Sequence, residues 1–346
     1  MKKLSFFDKI LFVVNSLLAF LLLLEYCLPY ISPKTFKYGP VITLGTPILL
    51  IINLCAVIYW VVKLKKQFIL SFLVLAIGYN HIHALIKFKE KKVFLNDDVK
   101  IMSYNVRLFN KFKWTKQTEI DQKVESFIKE KQPDILVFQE YFKSTELFKS
   151  YKYKFIKYNI HSQNKNVGMA IYSKYPILNR GDLAFESPFN NSIFADILIK
   201  SDTIRIYNTH LHSIGLNLEK DNFGSKTPEH LVKRLSNTFE KQFNQVQKIT
   251  KHQKESPYKN IILGDFNNNA FSWVYNELSE DKNDAFTQSG SGLGKSFNYL
   301  FPLRIDFILM DKAITINNFK TYNVKYSDHY PIMARFNLTK VIPLQK

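Results

Sequence analysis

The sequence predicts an α/β sandwich of two sheets behind an all-helical transmembrane region. Three observations predict it. The first 86 residues carry three long apolar runs. From residue 100 onward, short strand-like runs alternate with stretches of helical periodicity and a hairpin. The polar residues suited to chemistry gather at the ends of those strands, where open α/β sheets place their sites.

The chain has 346 residues and a formal net charge of +19. Residues 1–96 hold twelve lysines and no arginine, against Asp8, Glu25 and Glu90. The remaining residues are also basic, which suits an anionic substrate or a membrane surface. The only cysteines, Cys27 and Cys55, lie in apolar runs. The C-terminal part therefore offers neither a disulfide framework nor a thiolate metal site.

Residues 1–96 read as a membrane anchor with linker, and 97–346 as a catalytic domain. Residues 10–28 form the first apolar run, long enough to span a bilayer. It lacks a small-x-small cleavage pattern and more apolar runs follow, so an uncleaved anchor is expected rather than a signal peptide. The second run, about 41–62, is interrupted by Pro47 and Asn53, and the third covers about 68–86. Asn80, His81 and His83 close the third as polar residues of an interfacial helix end. Asn15 and Asn53 are expected to hydrogen-bond between helices. No charged pair is evident inside the runs, which argues against a transport pathway. Lysines at the N-terminus and in the second loop place both inside. Three spans then put the catalytic domain outside the cytoplasm. Abundant Lys, Asn and Phe fit an AT-rich bacterial genome, hence a multi-pass protein of a bacterial inner membrane.

Residues 87–98 are charged and read as linker. Residues 100–109 form a strand delivering Asn105 and Arg107 near its end. Residues 119–131 are helical, with Ile120, Val124, Phe127 and Ile128 on one face, and Pro133 stops them. Residues 134–138 (D-I-L-V-F) form a buried strand capped by Gln139 and Glu140. This is a β-α-β unit, so Asn105 and Glu140 belong at one rim. Residues 154–159 and 168–173 read as strands, and 193–200 with 203–209 as a hairpin ending in N-T-H-L-H. A polar insertion at 213–227 precedes a long helix, 228–251, capped by Thr227. Next comes I-I-L-G-D-F-N, a buried strand that ends at Gly264, where the chain can turn. Asp265 and Asn267 share a face if the backbone stays extended. Residues 271–278 form a short helix. G-S-G-L-G-K at 290–295 lacks the spacing of a phosphate-binding loop and reads as a rim loop. Residues 303–310 carry Arg304 and Asp306, 314–325 hold another strand, and S-D-H-Y-P leads into the last, 332–338.

Five strands thus bring Asn105, Glu140, His210, Asp265, Asn267, Asp306, Asp328 and His329 to one rim. Taken singly, an Asp at a strand end is a turn former and a His is a structural residue. Taken together and in order, S-Y-N-V-R, P-D-I-L-V-F-Q-E, N-T-H-L-H, G-D-F-N, R-I-D-F-I-L and S-D-H-Y-P resemble the endonuclease/exonuclease/phosphatase (DNase I-like) superfamily. The resemblance covers about residues 100–338. It implies a four-layer α/β sandwich and Mg2+- or Mn2+-dependent hydrolysis of a phosphoester by in-line attack of water. It implies that Glu140 with Asn105 holds the cation, with Asp328 as support or as a second metal position. It implies that Asp265 orients or deprotonates the water and that Asn267 donates to the phosphorane. His329 would act at the phosphate with its tautomer fixed by Asp306, and His210 would contact a phosphate oxygen or assist the leaving group. His212, Arg107 and Arg304 are further candidates, whereas His161, His230 and His252 read as surface residues.

Nucleic acid is the leading substrate expectation, because basic side chains neutralise phosphates. A phospholipid or sphingomyelin-type phosphodiesterase or phosphatase is the alternative, since the anchor keeps the domain beside a bilayer. A non-catalytic binding module is a third reading, disfavoured by the intact acidic and histidine set. Nothing in the sequence points to a protein partner.

Overall fold

The computed structural model describes residues 4–143, 147–159, 166–187, 189–214, 228–298 and 302–338. Two compact units result. The first comprises Met1–Ile86, Gly215–Phe243 and Asn269–Asn276, and the second Lys87–Ile214, Asn244–Asn268 and Glu277–Lys346.

In the first unit, α1 spans Phe6–Glu25, α2 Thr46–Val62, α3 Phe68–Ile77 and α4 Tyr79–Leu85. Ser5 caps α1, its hydroxyl accepting from the Asp8 N–H at 3.1 Å. Pro47 falls in the first turn of α2, where its missing N–H costs nothing. Two stretches, Phe6–Tyr30 and Gly39–Val62, are long and apolar enough to cross a membrane. The third run is not one straight helix: α3 and α4 bend by 72° at a break, so it makes a third span only as a broken helix. Gly78 lies there because a side chain would collide with Tyr26, whose hydroxyl is 2.0 Å from an ideal Cβ. The Tyr26 hydroxyl donates to the Val74 carbonyl at 3.3 Å.

The expected bonds between helices are present. Ser71 Oγ donates to Asn15 Oδ1 at 2.8 Å and approaches Asn53 Oδ1 at 2.9 Å. Just outside the apolar runs a charged pair joins the helix ends: Lys63 Nζ lies 2.7 Å from Asp8 Oδ1, which also accepts from the Tyr59 hydroxyl at 2.8 Å. His81 packs against the Tyr26 ring at 4.5 Å and stacks on Phe271 at 5.9 Å and 7°. Its role there is packing.

The second unit holds two six-stranded mixed sheets. Its elements are β1 Val99–Asn105, α5 Ile120–Lys131, β2 Ile135–Phe142, β3 Tyr153–Tyr158, β4 Val167–Ser173, β5 Ile177–Asp182, β6 Asn191–Ile199 and β7 Asp202–His210. Then follow α6 Pro228–Lys254, β8 Lys259–Asp265, α7 Trp273–Ser279, β9 Lys282–Asp284, α8 Ala285–Ser289, β10 Asp306–Asp311, β11 Thr315–Thr321 and β12 Ile332–Asn337. Of these, α6 as far as Phe243 and α7 as far as Asn276 fall in the first unit. One sheet runs β11-β12-β1-β2-β4-β3 and the other β9-β10-β8-β7-β6-β5. Each contains one parallel pair, β1 with β2 and β7 with β8. The inner faces meet in a core that includes Ile101, Val137, Ile171, Ile206, Ile261, Leu263 and Ile308. Outside the first sheet, the apolar face of α5 (Val124, Phe127, Ile128) packs on Met102, Leu136 and Phe138. This is the expected DNase I-like sandwich, with burial of large apolar side chains contributing roughly 1.5–3 kcal/mol each.

Several local expectations change. The strand from residue 99 stops at Asn105, and Arg107, Leu108, Phe109 and Asn110 all take positive φ. The strand expected at 303–310 begins only at Asp306, which makes Asp306 a rim residue. Residues read as linker are held by the second unit. Lys91 Nζ donates to the Ile316 carbonyl at 2.5 Å, Asn318 Nδ2 donates to the Lys91 carbonyl at 3.0 Å, and Asn317 Nδ2 donates to Asp98 Oδ1 at 2.7 Å. β5 is a strand that sequence reading passed over. His252 is no plain surface residue: its Nδ1 meets the Tyr207 hydroxyl at 2.8 Å. His161 and Thr227 lie outside the described residues.

Candidate active site

Three neighbouring strands set the site's floor. β7, β8 and β10 place His210, Asp265 and Asp306 side by side, because His210 pairs with Asp265 in parallel register and Asp306 with Asp265 in antiparallel register. Gly264 makes this possible. Its φ is +139°, and a Cβ there would meet the Thr209 carbonyl oxygen at 1.9 Å. The glycine therefore serves close approach within the strand, rather than the turn expected from sequence. The turn comes afterwards. Asn267 has φ +48°, its N–H donates to Asp265 Oδ1 at 2.8 Å, and its Nδ2 donates to the Leu211 carbonyl at 2.9 Å. Asp265 and Asn267 are thus joined by a tight Asx-type turn, not by shared extended backbone.

The other sheet contributes Asn105 and Glu140. Asn105 Nδ2 lies 3.0 Å from Asp265 Oδ2 and 3.2 Å from Glu140 Oε1, so one amide ties the two sheets together. Its Oδ1 accepts from the Arg107 N–H at 3.1 Å, a bond set up by the left-handed turn after β1. Glu140 owes its aim to a bulge. The β2–β4 register shifts between Phe138 and Tyr141, and Glu140 takes φ +47°. Gln139 then points inward, donating to Asn208 Oδ1 at 2.7 Å, while Glu140 faces the rim with a third of its side chain exposed. Asn208, fully buried, donates in turn to the carbonyls of Phe138 at 2.8 Å and Ala170 at 3.0 Å. Gln139 is thus not the strand cap expected from the sequence but a buried partner of Asn208, a residue with no expected role. The one signal was that Asn208 shares a strand face with His210.

His329 arrives from the loop before β12. Its Nδ1 lies 2.9 Å from Asp306 Oδ2 and its Nε2 lies 3.6 Å from Asp265 Oδ2. His210 Nε2 approaches the same Asp265 oxygen at 3.6 Å and Glu140 Oε1 at 3.9 Å. The two histidines are driven in opposite directions. Burial lowers the pKa of His210, with Asp265 opposing, so it is neutral at pH 7. Burial also acts on His329, but Asp306 and Asp265 outweigh it and raise the group to about 10. Burial pushes Asp265 up to about 6 against the pull of His329, and burial raises Glu140 as well.

Asp328 pairs with Arg107 Nη1 at 2.8 Å, and its charge is felt at both His329 and Glu140. Arg304 is buried against Asp284 at 2.5 Å, with its guanidinium over the Phe286 and Phe307 rings. His212 Nδ1 meets Asn190 Oδ1 at 3.2 Å. Neither Arg304 nor His212 joins the cluster through these contacts.

The donor set suits a hard divalent cation. Asp265, Asp306 and His329 bring potential ligand atoms within 4.8 Å of one another, the sole such group of three among the described residues, and with His329 held protonated the two carboxylates are the available donors. Glu140 adds a further carboxylate, and burial penalises its ionised form and that of Asp265, the condition a cation relieves.

Residues 102–329 match the family model described as "Endonuclease/Exonuclease/phosphatase family", and residues 8–85 match a domain of unknown function. No curated protein matches the chain by sequence. Among solved structures, the human Nocturnin catalytic domain with bound sulfate shares 17% identity at a TM-score of 0.54, covering 74% of this chain and 98% of that one. D. rerio TDP2 complexed with a single-strand DNA product shares 17% at 0.53, covering 69% and 99%. The Bacteroides thetaiotaomicron mannosyl-6-phosphatase shares 16% at 0.51, covering 69% and 99%. At such identities the likeness is one of fold.

Proposed function

The chain belongs to the Endonuclease/Exonuclease/phosphatase family, and from that premise we propose that it is a membrane-anchored, divalent-metal-dependent phosphodiesterase acting on nucleic acid. The observation that carries this reading is the Asp265 carboxylate, clasped by Asn105, His210 and His329 at the junction of two sheets. In this reading Glu140 with Asn105 holds Mg2+ or Mn2+, which supplies Lewis-acid polarisation of the phosphoryl oxygen when bound. Asp328 supports that position through Arg107.

The remaining chemistry belongs to the chain. Asp265, its Oδ1 fixed by the Asn267 N–H, accepts the proton of the attacking water through Oδ2. His329, kept charged by Asp306, donates through Nε2 to a non-bridging phosphate oxygen and offsets the charge that grows there. Neutral His210 offers Nε2 to a second phosphate oxygen or to the leaving group. Asn267 steadies the same region from the turn.

Support for nucleic acid comes from the basic charge and from the TDP2 complex with DNA product. A phospholipid headgroup is the second reading, favoured by the two apolar stretches of membrane-spanning length. The anchor fits a bacterial inner membrane with the catalytic domain outside the cytoplasm, as the lysine flanks suggest. The test is hydrolysis by the purified full chain with Mg2+, Mn2+ or EDTA, offered plasmid DNA, RNA and phospholipid vesicles in parallel. Metal-dependent nicking or RNA cleavage supports the proposal. Headgroup release without cleavage of nucleic acid replaces it with the second reading, and no turnover of any substrate overturns both.

A further inference from the structure

The segment that follows β1 is a built surface which the catalytic reading does not use. It reads N-K-F-K-W-T-K, from Asn110 to Lys116. Asn110 pins it: Nδ2 donates to the carbonyls of Thr115 at 3.1 Å and Gln117 at 2.8 Å, and Oδ1 accepts from the Thr115 N–H at 3.0 Å. Gln117 Nε2 then ties the segment to the Lys325 carbonyl at 3.0 Å. Positive φ at Leu108, Phe109, Asn110 and Lys113 fixes the path. The result is a shaped loop whose Phe112 and Trp114 remain 54% and 47% exposed. Their ring centres are 6.3 Å apart, edge to face.

Beside this loop lies a groove of about 470 Å³, lined by Lys111, Lys113, Lys143, Leu108 and Phe142, with Glu119 and Asp121 also present. Lys111 Nζ stands 5.4 Å from the centre of the Phe142 ring. The loop also connects to the catalytic rim. The Arg107 guanidinium sits 4.5 Å from the centre of the Trp114 ring, while its Nη1 holds Asp328, the neighbour of His329.

We infer that residues 110–116 and the adjoining groove form a contact surface for a single strand of nucleic acid, which leads it toward the catalytic rim. This rests on the nucleic-acid reading above and extends it to a surface of its own. Alternating lysines and exposed aromatics are what such a strand requires, since lysines follow the phosphates and rings stack on successive bases without choosing among them. A bilayer is the rival occupant and fits less well. Both rings lie half covered, Trp114 under a guanidinium, and the loop is pinned at both ends. Insertion into lipid would need rings that project.

The experiment uses the full chain in nanodiscs of zwitterionic lipid, with EDTA to stop cleavage. A fluorescein-labelled single strand of roughly twelve nucleotides, within the usual span of such sites, is titrated by anisotropy. Trp114→Ala and Phe112→Ala should each weaken binding about tenfold, and Trp114→Tyr should recover most of the loss. Lys111→Gln and Lys113→Gln should each flatten the salt dependence by about 0.7 in slope. Wild-type affinity and slope in all four loss variants overturn the inference. Quenching by brominated lipid that falls markedly in Trp114→Ala, against the common background of Trp60 and Trp273, also overturns it, in favour of bilayer docking. Hydrolysis of a small soluble phosphodiester by the unaltered chain with Mn2+ is measured separately. Its absence counts against the active-site reading, while the binding data still judge the loop.

Discussion

His329 and Asp306 form a buried pair, with Nδ1 2.9 Å from Oδ2. The pair raises the imidazole to about 10, above the ordinary value near 6.5. A histidine raised in the folded state contributes stability that is fully present below its unfolded pKa and is lost as pH rises through the folded one. For the metal-free protein the contribution should therefore wane between pH 6.5 and about 10. Asp306→Asn removes the largest opposing charge and lets burial dominate, so the imidazole should titrate at distinctly lower pH. An NMR titration of the His329 ring in EDTA reads this directly. An unchanged midpoint in the variant would show that Asp306 does not hold the proton there.

Asp265→Ala should abolish hydrolysis while the sandwich survives. The carboxylate sits at the register point shared by β7 and β10, but the strands pair through backbone. Loss of a general base and of a charge facing His329 should cost about 10³-fold or more in turnover. His329→Ala should do the same by removing the charged donor. Circular dichroism and a thermal melt check the fold alongside the assay. Metal-independent turnover at the wild-type rate in either variant would refute the mechanism.

Much of this was legible in the sequence because strand ends are punctuated. Apolar runs stop at Asn105, His210 and Asp265, and period-2 reading puts those residues on one rim. What sequence could not reveal depends on backbone geometry between strands. The bulge that separates Gln139 from Glu140 leaves no mark in P-D-I-L-V-F-Q-E. Gly264 looked like a turn residue because its constraint, the Thr209 carbonyl, comes from a strand some fifty residues earlier. The break in the third apolar run left no mark because hydropathy has no sensitivity to the Tyr26 ring that occupies the space beside Gly78.

Gly264→Ala should be severely destabilising, by about 3 kcal/mol or more, because it combines a disfavoured φ with a clash against backbone. Gly292→Ala is the matched control. Gly292 also has positive φ, +66°, but nothing lies within 4 Å of its Cβ position. Its cost should stay near 1 kcal/mol. Denaturation midpoints for both variants check the contrast, and equal losses would mean that φ alone, not the approach to Thr209, sets the requirement.

Asn208→Leu should cost about 2–4 kcal/mol. It leaves the carbonyls of Phe138 and Ala170 and the amide of Gln139 without their buried partner. Because Gln139 precedes Glu140 in the bulge, activity should fall further than stability loss explains, with a higher Mg2+ requirement. Assays at a temperature where the variant is fully folded separate the two effects. An unaltered Mg2+ requirement would limit the network to a role in packing the sheets.

Glu140→Gln tests the metal assignment most directly. The side chain keeps its shape and can still meet Asn105, but loses the charge that a divalent cation needs. In the wild type, EDTA should abolish turnover, and Mg2+ should raise the thermal midpoint in proportion to the logarithm of its concentration above Kd. In Glu140→Gln that shift should shrink or vanish. The metal-free variant should melt no lower than the metal-free wild type, since burial penalises the carboxylate that it removes. These two readouts separate a ligand from a structural residue, which would lower the melt with or without metal. Should Mg2+ still stabilise the variant as strongly as the wild type, the cation would have to be held by Asp265 and Asp306 instead, with His329 giving up its proton if it joins them, since the three place ligand atoms within 4.8 Å of one another.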